Sequence, residues 1–207
     1  MKHPKIYNIF IILNLLFQTN TLPGHTQTLA RDKEKALSIE ISFARTNILG
    51  QTFPGMSGHY IFFLTERFGT GLSLFTVQNQ VDQNFGYSLV NPQLLLSQYG
   101  WINQFILINN KYVKLKFNFI NGLIQVRLID ESRPSISGQI MAPPKLDSNF
   151  YYFMEPGTAL SLRLFGLLYL TGGINYRFLF GKSHFSDRKE FQNTGYSLGL
   201  SMINNRK

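Results

Sequence analysis

The stretch Leu168-Tyr169-Leu170-Thr171-Gly172-Gly173-Ile174-Asn175-Tyr176-Arg177-Phe178-Leu179-Phe180 decides the reading of this chain. Its even positions are Leu, Leu, Gly, Ile, Tyr, Phe and Phe, and its odd positions, mostly polar or small, are Tyr169, Thr171, Gly173, Asn175, Arg177 and Leu179. Side chains of a strand point alternately to its two faces, so this is a strand with one greasy side and one polar or small side. A helix would group its apolar residues every three or four positions instead.

The same period runs outward from there. Leu160, Leu162 and Leu164 alternate with Ala159, Ser161 and Arg163 before it, and Tyr196, Leu198, Leu200 and Met202 with Ser197, Gly199 and Ser201 after it. Val113, Leu115, Phe117 and Phe119 alternate with Lys114, Lys116 and Asn118, and past Asn121-Gly122 the phase blurs, as a bulge at glycine would make it. The first strand, Leu37–Phe43, sets Leu37, Ile39, Ile41 and Phe43 against Ser38, Glu40 and Ser42. Strands near 56–66, 69–78 and 93–108 are apolar on both faces in places.

Spacers between these segments alternate in length. Tight joints fall near Glu66–Gly69, at Asn109-Asn110 and at Phe165-Gly166; longer ones run Asn47–Gly55, Asn79–Pro92, Asp130–Ser148 and Lys182–Asn193. Three short and four long spacers, interleaved, leave room for eight strands. The expected fold is all-β, an eight-stranded antiparallel transmembrane barrel of the outer-membrane type, with short periplasmic turns, longer extracellular loops and both termini periplasmic. A soluble periplasmic barrel holding an apolar ligand has the same alternation with its greasy face inward. Aromatics near segment ends (Tyr176, Phe178, Phe180, Tyr196) and the low charged fraction of 15% favour the membrane.

Residues 1–26 read as a cleaved secretory signal. Lys2 and Lys5 precede the apolar Ile9–Phe17, Pro23-Gly24 breaks the run, and Gly24-His25-Thr26 offers small residues before Gln27. That run is too short to cross a bilayer as a helix, which takes roughly 20 residues. Residues 27–207 are then the barrel domain. The chain has no cysteine, so disulfide, thiol and lipoprotein chemistry are excluded. Its formal charge of +9 falls to about +7 without the signal, and no Lys/Arg run exceeds two residues, so nucleic acid is not an expected partner. Outer-membrane lipid and the phosphates of lipopolysaccharide suit scattered basic residues, and insertion would engage the barrel-assembly machinery. A monomer is expected, and the partner of the extracellular loops is unassigned.

With these residues in view, the C-terminal half resembles the small outer-membrane β-barrel proteins of the Bacteroidota. The resemblance rests on Tyr151-Tyr152-Phe153-Met154-Glu155-Pro156-Gly157, an acidic-Pro-Gly strand start, and on the Gly-x-x-Tyr-Arg run Gly173–Arg177. Tyr99–Val126 is similar to the middle of that family. The resemblance implies location and architecture; activities in that family are largely unassigned.

Few residues point to chemistry. An eight-stranded barrel is just wide enough to be filled by side chains, so inward polar groups must satisfy one another. A tight turn at Phe165-Gly166 brings Arg177 diagonal to Glu155, which predicts a lumenal Glu155–Arg177 ion pair, joined by Arg163, Lys114 or Glu40. Its expected role is structural; a gate or proton-sensitive plug is the functional alternative. A lipid hydrolase needs a Ser nucleophile beside a His base. Ser57-Gly58-His59 and Ser183-His184 are the candidates, and neither forms a recognisable motif. Asp130-Glu131 and Asp187…Glu190 are the nearest approach to a metal cluster, and solvated loop charge explains them. No phosphate loop or dinucleotide fingerprint occurs, so no catalytic residue, metal or cofactor is expected.

Overall fold

A computed structural model describes residues 36–83, 85–130, 145–181 and 188–204. The expected signal, residues 1–26, lies outside them. The strands are β1 (Leu37–Ile48), β2 (Gln51–Phe63), β3 (Phe68–Gln80), β4 (Pro92–Asn109), β5 (Val113–Asp130), β6 (Lys145–Phe165), β7 (Leu168–Tyr176), β8 (Phe178–Phe180) and β9 (Thr194–Asn204), with a 3₁₀ turn at Arg188–Phe191. β7 and β8 are successive parts of one staved strand, both pairing with β6. Each strand runs antiparallel to its neighbours, and β1 pairs with both β2 and β9, which closes an eight-stranded barrel. Following the partners of Glu40 one way round leads to Phe153, and the other way to Arg163, a stagger of ten residues along β6. Such a stagger is what closure with tilted strands requires.

The short turns lie where the spacing puts them. Thr65 Oγ1 accepts the amides of Arg67 and Phe68 between β2 and β3, Asn110 Oδ1 those of Tyr112 and Val113 between β4 and β5, and Gly166 adopts φ 53° between β6 and β7. At the opposite end the expectation of a long Asn47–Gly55 loop is corrected. β1 and β2 join through Leu49-Gly50 alone, both at positive φ (54° and 75°). A two-residue hairpin needs that geometry, and leucine is a poor advertisement for it. Pro54-Gly55, which looks like the turn, lies inside β2. Pairing of β2 with β3 starts only at Gly55, so Pro54 has no ladder to interrupt there.

Outside, the barrel carries a belt of exposed apolar side chains. Phe43 is 74% exposed, Leu198 59% and Leu72 56%, with Tyr60, Tyr99, Tyr176 and Tyr196 among its aromatics. The chain therefore turns its greasy faces outward, opposite to a soluble ligand-carrying barrel. Inside, Ser38, Glu40, Ser42, Ser73, Gln98, Gln104, Lys116, Glu155, Ser161, Thr171, Arg177 and Ser201 are buried.

This polarity reverses toward the long-loop end. There Ile48, Phe53, Val77, Leu94, Leu96, Val126, Leu128, Tyr151 and Phe153 pack inside, and Arg45, Asn47, Thr52, Thr76 and Gln78 face out. The reversal explains the strands that looked apolar on both faces, and it corrects the bulge expected at Gly122. β5 runs unbroken through that residue. What changes past it is which face is apolar, not which way side chains point. Gly122 serves a close approach instead: a Cβ there would lie 2.1 Å from the Tyr99 carbonyl oxygen and 2.6 Å from Gly100 Cα.

Candidate functional site

Among the described residues, two buried ion pairs occupy the polar middle of the lumen. Glu155 stands on β6, and the register on either side of it (Met154 to Phe178, Gly157 to Asn175) sets Arg177 directly opposite. Arg177 Nε donates to Glu155 Oε2 at 2.8 Å, with both side chains 4% exposed. Gln98 Nε2 donates to the same oxygen at 3.3 Å, and Asn175 Nδ2 donates to Oε1. On its far side the guanidinium lies 5.1 Å from the Phe75 ring centre, within cation–π reach. Arg177 thus stands directly opposite Glu155 rather than diagonal to it.

The second pair joins Lys116 of β5 to Glu40 of β1, Nζ to Oε2 at 3.5 Å, across the lumen. Sequence reasoning placed Lys116 on the polar face and offered Glu40 to Arg177 instead. Strand register reads neighbours, and β1 and β5 are not neighbours. Lys114 joins neither pair. Its Nζ donates to Asn109 Oδ1 and lies 5.8 Å from the Tyr169 ring centre. Arg163 is the correction. It sits half-buried at the short-turn end, where Nε donates to the Gly166 carbonyl at 2.8 Å. Arg163 lies eight residues along β6 from Glu155, too far for two side chains to meet, so it caps its own turn.

Hydroxyl bonds line the same lumen: Ser161 with Thr171 at 2.8 Å, Thr171 with Ser201 at 2.7 Å, and Ser42 with Ser57 at 2.6 Å. The hydroxyl of the hydrolase candidate Ser57 is therefore engaged with another serine. His59 faces the same lumen beside Glu40, and its Nδ1 has no partner among the described residues. An acyl ester in a bilayer would have to pass the barrel wall to reach either. Ser183, His184, Glu131 and Asp187 lie outside the described residues. Among the described residues no three His, Cys, Asp or Glu side chains gather as metal ligands.

The wall above this network is built unevenly. The β6–β7 ladder stops at Gly157–Asn175, and pairing resumes at Met154–Phe178, skipping Glu155 and Pro156 against Tyr176 and Arg177. Pro156 has no N–H to give, so a rung cannot form there. Pairing of β9 with β7 and β1 begins at Thr194 and Gly195, leaving β8 without β9 beside it. The 3₁₀ turn fills that place. Glu190 O accepts the Leu49 amide at 3.3 Å, Gln192 Nε2 donates to Leu179 O at 3.1 Å, and the Arg177 amide donates to Asn193 O at 2.9 Å. Phe191 is wholly buried beneath it, 6.1 Å from Tyr151 between ring centres, and Thr46 Oγ1 donates to Asn193 Oδ1 at 2.5 Å.

The 3₁₀ turn thus completes the wall beside β8. A cleft of about 480 Å³ lies beside it, between Leu49-Gly50, Gln83, Lys189-Glu190 and Gln192-Asn193. Nearby, Asp147 Oδ2 accepts the Tyr87 hydroxyl at 2.7 Å and so holds that phenol above its ordinary range.

No protein-family model and no curated protein matches the chain. Solved structures do. Neisserial surface protein A is similar over 81% of this chain and 96% of its own, at 12% identity and a TM-score of 0.56. The outer membrane protein OprG of Pseudomonas aeruginosa is similar over 83% and 97%, at 12% and 0.52. Ail, the attachment invasion locus protein of Yersinia pestis, is similar over 82% and 97%, at 13% and 0.50. At such identities the likeness concerns architecture, and the architecture is that of the small outer-membrane β-barrels.

Proposed function

We propose that this chain is a non-catalytic integral protein of an outer membrane, of structural or surface-interaction type, exported by a signal at residues 1–26 and inserted as a monomer by the barrel-assembly machinery. The carrying observation is the belt of exposed apolar and aromatic side chains around a closed barrel whose lumen is filled. In water such a belt far exceeds the apolar patches that soluble monomers expose. The ion pairs satisfy lumenal charge, Phe53, Leu94, Leu96 and Tyr151 are buried near the mouth, and eight strands suit a side-chain-filled interior rather than a channel.

Surface contact belongs to the long-loop end, which faces outward in this reading. One barrel of the same fold, Ail, is an attachment invasion locus protein, which agrees with such a role. Arg45, just above the belt, suits lipopolysaccharide phosphates. Kinship with the Bacteroidota barrels rests on the Glu155-Pro156-Gly157 and Gly173–Arg177 motifs alone.

The test is gel mobility of outer-membrane fractions with and without boiling in detergent. A heat-dependent shift in that fraction is expected. Recovery of unshifted protein from the soluble periplasm would refute the reading.

A further inference from the structure

The missing rung at Pro156 leaves a mark on the outer wall. Between β5, β6 and β7 lies a groove of about 340 Å³, lined by Phe117, Pro156, Gly157, Thr158, Ile174 and Tyr176. Its volume falls at the small end of ligand pockets, which run ~300–1,000 Å³. Phe117, Pro156, Ile174 and Tyr176 belong to the outward faces of their strands, so the groove opens sideways into the belt. Elsewhere the belt stands out from the wall, as at Phe43 and Leu198; here proline, glycine and threonine lie low between taller neighbours.

We infer that this groove is a lipid site, in which one acyl chain of a membrane lipid lodges against the barrel. The inference rests on the membrane reading above, since the groove is continuous with the belt that meets the bilayer. Three observations choose the occupant. The groove opens onto the belt, its walls are mostly apolar, and it is too small for more than part of a lipid. The polar atoms at its edge, Thr158, Thr194 and Asn175, are neutral, so it attracts no headgroup charge. Asn175 also donates to Glu155, so the chain would lie against the same wall segment that holds the lumenal pair.

The test compares Thr158→Trp, which fills the groove from an outward position, with Leu72→Trp on the outward face of β3. Each protein is reconstituted in dimyristoyl phosphatidylcholine vesicles, extracted into mild detergent, and weighed intact by native mass spectrometry. Boiling-dependent mobility is recorded for each. The wild type and Leu72→Trp should retain one phospholipid, and Thr158→Trp should lose at least about fivefold of the lipid-bound fraction. Proteins that shift on boiling yet leave a wild type stripped of lipid, or a Thr158→Trp that keeps as much, overturn the site and leave the membrane reading standing. A wild type that never enters vesicles overturns both.

Discussion

Replacing Glu155 by leucine should cost more than replacing Arg177 by methionine, and the structure sets the difference. Breaking a buried ion pair from one side costs about 3–5 kcal/mol, most of it the charge left behind. After Arg177→Met, the carboxylate keeps two amide donors, from Gln98 and Asn175. A hydrogen bond to a charged group is worth about 1.5–3 kcal/mol, so this variant belongs at the lower end, near about 3. After Glu155→Leu, the guanidinium keeps, among the described residues, the Phe75 ring face, worth about 0.5–2 kcal/mol, and its Nη1 has no partner among them even in the wild type. That variant belongs near about 5 kcal/mol. The double substitution removes both charges and should cost less than either single one.

Reversible urea unfolding in lipid vesicles, followed by the fluorescence of the single tryptophan, Trp101, measures all four corners of this cycle. Trp101 sits on the outward face of β4 at 38% exposure, so it reports insertion. The reasoning is refuted if Arg177→Met costs more than Glu155→Leu, or if the two losses simply add.

Three further outcomes can be checked. Gly122→Ala should destabilise by roughly 1–3 kcal/mol through overpacking, because its Cβ meets backbone at 2.1 Å, whereas Gly58→Ala, with nothing nearer than 3.8 Å, should unfold at nearly the wild-type urea concentration. Phe191→Ala should unseat the 3₁₀ turn and open the bond after Lys189 to trypsin, with the barrel itself still resistant; equal cleavage of wild type and variant would show that Phe191 is no anchor. Tyr87 should ionise above the usual phenol range, seen in ultraviolet absorbance, with Asp147→Asn bringing it back. Because the raised value favours the neutral phenol, the loop-to-strand bond persists below the ordinary phenol range and is lost as pH climbs through the raised one.

How much of this was legible depended on whether neighbours in space were also neighbours in register. β1, β7 and β9 show their faces openly, because small or polar residues line the lumen where Leu, Ile and Tyr meet the outside. Glu155 and Arg177 could be placed together because one tight turn joins their strands. Lys116 and Glu40 could not, since their meeting depends on the barrel's closure and width. β3 and β4 blurred because Phe75, Val77, Leu94 and Leu96 point inward near the mouth while Leu72, Leu74 and Trp101 point outward lower down. The turn at Leu49-Gly50 hid behind a side chain that rarely takes its backbone conformation, and Arg163 was drawn to the nearest carbonyl rather than to a distant carboxylate.

The reversal of polarity along the strands also fixes how deep the protein rides. Sinking by one pair of residues would drag Arg45 and Thr76 into hydrocarbon, and rising by one would lift Phe43 and Leu74 into water. Each displacement is opposed by a different group of side chains, so the barrel floats at a set waterline. Above that line the wall is held by the exclusion of water from Phe53, Leu94 and Tyr151, a force that weakens on cooling; below it, the wall answers to the thickness of the lipid. One continuous sheet is thus moored in two solvents. Temperature and bilayer thickness should loosen it from opposite ends.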